Sequence, residues 1–362
     1  MTAREREVLE LIRKDPGISY AEIASALGIS RSTVAVYIAS LTSQGEIIGK
    51  QYVLAENVIA CIGSCCADIY GFTGEESSGE GGAVKLSSGG VARNIGENLS
   101  RLGDSVKLFS VVGDDRLGQM IQKDSAASGM DIADLGIIQG MDTPAFLQLI
   151  GPDGEPTATV AQRSPRAVPD IEYLREKEHL IKNARVILVC GLPAASIQYI
   201  HDRFPEKRMF ADLGAVEPGD RVTDCLSCFH SVQANKREAE AITGVRIRND
   251  DTLNRAADIL IRRGVHRVVI TLGVDGAFYK DADGLSLRRH TMPISHVVNA
   301  TGAGDAFAAG YIHCLLADRS PVYALDFGMA CAVLALSSGE SINRSLCVPL
   351  AEQMMEKYPA QG

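Results

Sequence analysis

No segment of the 362-residue chain offers the run of about 20 apolar residues that a membrane-spanning helix needs. The longest apolar stretches, such as VVNATGAGDAFAAGYIHCLLA, are broken by Gly, Asn, Asp and His. A secretory leader is missing too, because MTAREREVLELIRK is charged throughout and has neither an apolar core nor a small-residue cleavage site. The expectation is a cytoplasmic protein with no membrane partner. Paired cysteines are also lacking: the nine are scattered, adjacent Cys65 and Cys66 are badly placed to bridge each other, and an odd count without a leader reads as reduced thiols. Cys225 and Cys228 form a CxxC, but no second pair follows at zinc-site spacing and His230 sits one residue too late for haem attachment. Neither metal nor redox chemistry is expected there. Basic charge is not in excess either, since 36 Lys and Arg against 45 Asp and Glu leave a formal charge of −9. That balance argues against a protein that works mainly by coating nucleic acid, while allowing a local contact surface.

What is present is 46% hydrophobic residues in 38.6 kDa, enough for a large core and more than one domain. From Arg4, the residues Val8, Leu9, Leu11 and Ile12 recur at helical spacing up to Asp15-Pro16-Gly17, which a helix does not cross comfortably. Ser19 is placed to cap a second helix carrying Ile23, Ala24 and Leu27, and Ser30 a third after the turn Gly28-Ile29. In RSTVAVYIASLTSQG, Val34, Ile38 and Leu41 should face inward, leaving Arg31, Ser32, Thr33 and Tyr37 as outward, groove-reading candidates. The segment EIIGKQYVL, with a turn at Gly49-Lys50, reads as a hairpin that would complete a wing. On the run EIASALGISRSTV, residues 1–55 resemble bacterial winged-helix transcription-regulator domains. The resemblance implies a DNA contact. Its six basic residues from Arg4 to Lys50 are matched by six acidic ones, so any such contact should be weak on its own. A module used for dimer contacts, or one inherited without function, is the plainer alternative.

Beyond Glu56, the short apolar runs VIACIG, VKLFSVVG, ARVILVCG, RMFADLG and RVVITLG each meet glycine, and helix-like stretches such as NIGENLSRLG and TLNRAADILIRRG lie between several of them. The pattern predicts an α/β fold over residues 56–362 with a mainly parallel sheet, whose ligands sit at the carboxyl ends of the strands. Stretches near 70–86 and 142–164 break the rhythm and are expected to form strands of a small lid.

In NATGAGDAF, Thr301-Gly302-Ala303-Gly304 forms a turn that opens a helix. Unpaired backbone N–H groups and the helix dipole make such a terminus an anion site. A carboxylate pressed against a phosphate would repel it, so Asp305 is suited to take a proton from a hydroxyl that attacks there. The plainer reading is an ordinary acidic residue at a helix start. In SSGGVARNIGENLSRLG, Gly89 and Gly90 lead into a helix with Asn94 in its first turn, and Asp68 follows the first strand. Asn and Asp together hold a vicinal diol well, although they would also serve as a cap and a turn residue. Asn235 and Glu238 stand three apart at a helix start, fit either for phosphate and hydrated Mg2+ or for a capping pattern. VVITLGVDGAF turns at Gly273 and Gly276, offering backbone to a nucleotide.

Taken in order, these elements resemble the PfkB or ribokinase-like family of carbohydrate and nucleoside kinases. The family's GG-x-x-x-N motif is matched by Gly89 to Asn94, its N-x-x-E motif by Asn235 to Glu238, and its DTxGAGD hallmark by Asn299 to Asp305. Asn299 and Ala300 replace the usual Asp-Thr, which puts monovalent-cation (K+) activation in question rather than catalysis. The resemblance implies ATP and Mg2+ as cofactors and Asp305 as the catalytic base. It makes Gly302, Ala303 and Gly304 the anion hole, and Asp68, Gly89, Gly90 and Asn94 the sugar site. ATP would lie along Asn235, Thr271, Gly273 and Gly276, with Glu238 on Mg2+ through water. Within the family the motifs look most like pseudouridine kinases and related nucleoside kinases, which implies phosphorylation of a primary hydroxyl such as a ribose 5′-OH and a homodimer formed through the lid. A kinase for a free pentose or hexose is one alternative. Another is a transcription regulator that uses an inactive kinase domain as a sugar or nucleoside sensor; the complete catalytic set argues against it.

Overall fold

A computed structural model describes residues 1–48, 58–72, 82–151, 156–162, 164, 166–215, 221–293 and 297–358. Three short helices come first: α1 (Ala3–Lys14), α2 (Tyr20–Leu27) and α3 (Arg31–Ser43). Each starts where a side-chain oxygen meets an orphan N–H. Thr2 and Glu5 form a reciprocal capping box, Ser19 and Glu22 a second, and Ser30 accepts from Thr33. Helix α2 stops at Gly28, whose φ of 64° is left-handed. Val8, Leu9, Ile12, Ile23, Val34 and Leu41 close a small core between the helices. The outward face of α3 is narrower than the spacing implies. Arg31 and Ser32 are exposed, but Thr33 bonds back to Ser30 and Tyr37 is half-buried against the core, since it lies beside Ile38 and one turn after Val34. Val36, 66% exposed, takes the outward place. The turn and second strand of the expected hairpin fall outside the described residues.

Among the described residues, fourteen strands follow: β1 (Val58–Gly63), β2 (Cys66–Phe72), β3 (Ala83–Gly89), β4 (Ser105–Phe109), β5 (Val111–Gly113), β6 (Gly136–Ile138), β7 (Ala145–Ile150), β8 (Pro156–Ala161), β9 (Val186–Cys190), β10 (Met209–Asp212), β11 (Ser231–Asn235), β12 (Arg267–Thr271), β13 (Ala277–Asp281) and β14 (Ser286–Arg289). Eight of them form one sheet in the order β14-β13-β12-β11-β10-β9-β1-β4, parallel from β12 to β4 and antiparallel at the β13–β14 edge. Continuous apolar runs suit these strands because cores lie on both faces. Helix α4 (Val91–Arg101) and the helices Ala303–Leu316 and Pro321–Leu336 cover one face, and Ala194–Arg203 and Asp250–Arg262 the other.

Two assignments differ from the sequence pattern. VKLFSVVG divides at Ser110, so β5 leaves the large sheet and pairs with β6. SVQAN, which looks like the approach to a helix, is a central strand. The segments expected near 70–86 and 142–164 do supply a separate four-stranded sheet, β3-β2-β7-β8, although it begins earlier, at Cys66, and extends to Gly89.

Candidate active site

The NATGAGDAF segment lies where the helix Ala303–Leu316 begins. Gly302 is the cap, in the left-handed region at φ 85°, and no side chain caps the helix, so its first N–H groups stay available to an anion. The glycines have different tasks. A Cβ on Gly302 would stand 2.0 Å from the Ser341 carbonyl oxygen, whereas one on Gly304 would meet nothing within 4 Å and would project into open space. Asn299 Oδ1 accepts from the Thr301 N–H at 2.9 Å, and Thr301 Oγ1 donates to Gln148 Oε1 at 2.7 Å, tying the turn to β7.

Asp68 is not a turn residue: it lies in β2, is 3% exposed, and sits directly over Gly89, where a Cβ would come within 2.1 Å of its Oδ2. Gly89 therefore seats a carboxylate. Tyr70 Oη (3.0 Å) and Ser341 Oγ (2.6 Å) donate to Asp68 Oδ2, and the Cys66 thiol faces Oδ1 at 3.4 Å. Burial pushes the Asp68 carboxyl upward against these donors. Gly90, at φ 99°, caps α4 and is held against the Ser64 carbonyl. Asn94 follows inside the first turn, buried, with Nδ2 donating to Asp305 Oδ2 at 2.9 Å. It is no cap.

Asp305 is half-buried, and its carboxyl is raised well above the usual range by burial first, then by the nearby carboxylate of Asp212, with Asp68 and Glu238 adding to it. Asp212, at the end of β10, is pushed up to about 7 by burial and by Glu238, against the Gly214 N–H that donates to it at 2.8 Å. Gln233 donates from Nε2 to both Asp212 Oδ2 and the Gly304 carbonyl, at 3.0 Å each. Asn235 and Glu238 make a capping box: the Asn235 N–H donates to Glu238 Oε2 at 2.7 Å and the Glu238 N–H to Asn235 Oδ1 at 3.0 Å. The capping pattern is thus present, yet Glu238 Oε1 and Asp212 Oδ1 also converge on Gly214, where a Cβ would lie 3.1 and 2.8 Å from them. Hard carboxylate oxygens crowded in this way fit Mg2+. Among the described residues no three His, Cys, Asp or Glu side chains form a cage, so phosphate oxygens and water would complete the shell.

A cleft of about 660 Å3 brings together Asp68, Gly90, Asn94, Thr301 and Asp305, walled by Phe146, Pro144 and Val168. The nucleotide candidates lie along neighbouring strand ends. Asn235 and Thr271 are partners in the β11–β12 register, and Gly273 and Gly276, at φ 63° and 91°, shape the turn after β12. Asp212, Gln233, Tyr70 and Ser341 escape sequence reasoning. Only Asp212 carries a signal, as the acidic end of the strand-like run RMFAD.

Fold and site together define a phosphotransferase of the α/β class. Over residues 57–346 the chain matches the model of the pfkB family of carbohydrate kinases, and it belongs to that family. It is a sugar or nucleoside kinase that uses an alcohol group as phosphate acceptor. Residues 1–47 match a winged helix-turn-helix DNA-binding model. The chain is 29% identical over 351 residues, 96% of its length and 97% of the relative's, to an uncharacterized sugar kinase, YeiI, of Escherichia coli. It is 28% identical over 306 residues (83% and 97%) to the pseudouridine kinase of the same organism. A ribokinase II of Escherichia coli, solved with ATP and Mg2+, shares the fold at a TM-score of 0.67 and 18% identity, covering 83% of this chain and 99% of the other. Among the described residues no single helix is long and apolar enough to cross a membrane.

Proposed function

We propose that this kinase transfers the γ-phosphate of ATP to the 5′-hydroxyl of a ribose carried by a nucleoside or C-nucleoside, with Asp305 as general base. The observation that carries the reading is the placement of Asp305: half-buried, held by Asn94, at an uncapped helix start, and facing the same cleft as buried Asp68. Asp68 and Asn94 grip the ribose diol. The N–H groups of Gly302, Ala303 and Gly304 receive the transferring phosphate. Burial and the nearby carboxylates raise the Asp305 carboxyl, which makes it a stronger base, and turnover is lost as pH falls far enough to protonate it. Asp212 and Glu238 would hold Mg2+, which would neutralise phosphate charge when bound. The four-stranded sheet covers the cleft and keeps water out.

The turn argues against activation by a monovalent cation. Asn299 carries no charge, its Oδ1 is committed to Thr301, and its Nδ2 is a buried donor with no partner among the described residues. Full turnover without K+ is therefore expected.

The similarity to pseudouridine kinase and the room in the cleft favour a base-bearing acceptor. Purified protein with ATP and a panel of nucleosides and pentoses, read as ADP release, tests this. Nucleosides should turn over, and 2′-deoxy analogues should lose about 1–3 kcal/mol for each buried polar group left unpaired. Equal rates on both forms would remove the diol assignment. Activity confined to free pentoses would remove the nucleoside.

The outer face of the four-stranded sheet supports a homodimer. Leu86, Ile69, Leu147 and Val160 stand in one row of the register, Val84, Gly71 and Leu149 in the next, with Val84 79% and Val160 62% exposed. Such an apolar face suits a second copy, and Leu86→Glu should give monomers in sedimentation. The exposed Arg31 and Ser32 support a weak DNA contact.

A further inference from the structure

Arg93, the residue before Asn94, is 3% exposed, and so is Glu97 one turn on. Burying a guanidinium is costly, and a well-packed apolar pair often serves stability as well. Its placement calls for another role. Every arm of the group is engaged: it pairs with Glu97 Oε2, donates from Nη1 to the Ser88 carbonyl at 2.9 Å and to Asn94 Oδ1 at 3.2 Å, and from Nε to Ser125 Oγ at 3.4 Å. Glu97 is steadied in turn by Arg101, which donates to Oε1 from Nε at 2.9 Å and Nη2 at 2.6 Å.

An asparagine amide has a donor end and an acceptor end that can exchange by a half turn. Arg93 has only donors, so it accepts only the Oδ1 end beside it. We propose that Arg93 is a positioning residue for phosphoryl transfer: it fixes the Asn94 amide with Nδ2 toward Asp305, and so sets the rotamer of the carboxylate. The inference rests on the assignment of Asp305 as base. Without Arg93 the amide can turn its oxygen toward Asp305, where two acceptors repel and the base swings away from the acceptor hydroxyl.

The other titratable side chains around Asp305 are of no help to its charged form. Asp212 faces it from β10, Asp68 from β2 and Glu238 from the helix Lys236–Thr243, with the thiols of Cys66 and Cys190 nearby. Asn94 is the side chain that favours the carboxylate. Losing its donation raises the carboxyl further, and the acid limb of the rate profile moves to higher pH.

The test uses the full chain with two changes at Arg93. Arg93→Met with Glu97→Gln leaves no buried charge on that pair, and Arg93→Lys keeps the charge but cannot reach Glu97, Ser88 and Asn94 at once. The expected result is a fall in kcat of about 10–100-fold for the double variant, the scale of a small misplacement of a reacting group, with ATP KM unchanged and the acid limb moved upward. Arg93→Lys should recover part of both. Wild-type kcat and an unmoved limb in a folded variant would overturn the proposal, and should the double variant melt early, Arg93→Lys decides by the same readouts. Asp305→Asn run alongside separates the two claims. If it keeps near-normal turnover, the base assignment falls and the relay with it. If it is inactive while the Arg93 variants behave as wild type, only the relay falls.

Discussion

At the proposed acceptor end of the site, Asp68 is buried on a strand, receives Tyr70 and Ser341 on one oxygen, and is seated on a glycine with no room for a methyl. At the proposed nucleotide end, Asn235 is exposed, Gly273 has open space around it, and the turn after β12 is held by backbone bonds such as Leu272 N–H to the Gly276 carbonyl at 2.8 Å. The first end is prebuilt from side chains. The second is a surface of main chain. The difference follows from what each must recognise: a sugar is told from other sugars by single hydroxyls, which need fixed polar partners, whereas a polyphosphate is held by charge and backbone N–H groups.

If this contrast is right, damage should grade from the acceptor end outward. Asp305→Asn keeps size and turn but removes the basic lone pair, so single-turnover rate should fall by about 10²–10⁴-fold with ATP affinity kept. Gly89→Ala drives a methyl into the Asp68 carboxylate. Displacing that group by even a fraction of its bond length should raise the acceptor KM by roughly 10–100-fold while ATP KM holds, as steady-state kinetics would show. Gly273→Ala meets no neighbour, and its cost is only the left-handed backbone at φ 63°, roughly 1 kcal/mol. A rise of a few-fold in ATP KM is expected. The smallest effect should come from removing residues 1–55, which ought to leave turnover within about twofold and abolish DNA retention at low salt. A larger loss would be traced to the seat of Gly45 on the His179 carbonyl, where a Cβ would come within 2.3 Å.

The parts legible in the sequence were those written in local chemistry. Ser19, Ser30 and Gly28 mark helix ends by their own side chains or lack of one, and the glycines around Asp305 announce a backbone-lined turn. What stayed hidden was tertiary. Ser341 reaches Asp68 across 273 residues, a separation that leaves no trace in spacing. Strand β11 was missed because its polar Gln233 and Asn235 stand at the end that faces the site, where a central strand gives up its apolar run. Gly89 belongs to the sugar motif yet acts through Asp68, a distinction that only the register of Cys66 against Gly89 reveals. Tyr37 shows the opposite limit, since an aromatic at the flank of a helix stripe is drawn partly into a small core.

Strand β2 has no idle face. Asp68 turns inward to the cleft and Tyr70 is buried beside it, while Ile69 and Gly71 alternate outward into the apolar rows of the open sheet. Each position thus answers to one of two selective demands, and an insertion of a single residue would exchange them wholesale. Natural drift in acceptor preference has more freedom elsewhere around the same cleft, at Ala161, Gln162 and Ser164, which line it from an edge strand and the segment that follows it. A library built to retrain this kinase should vary that rim and leave the strand alone.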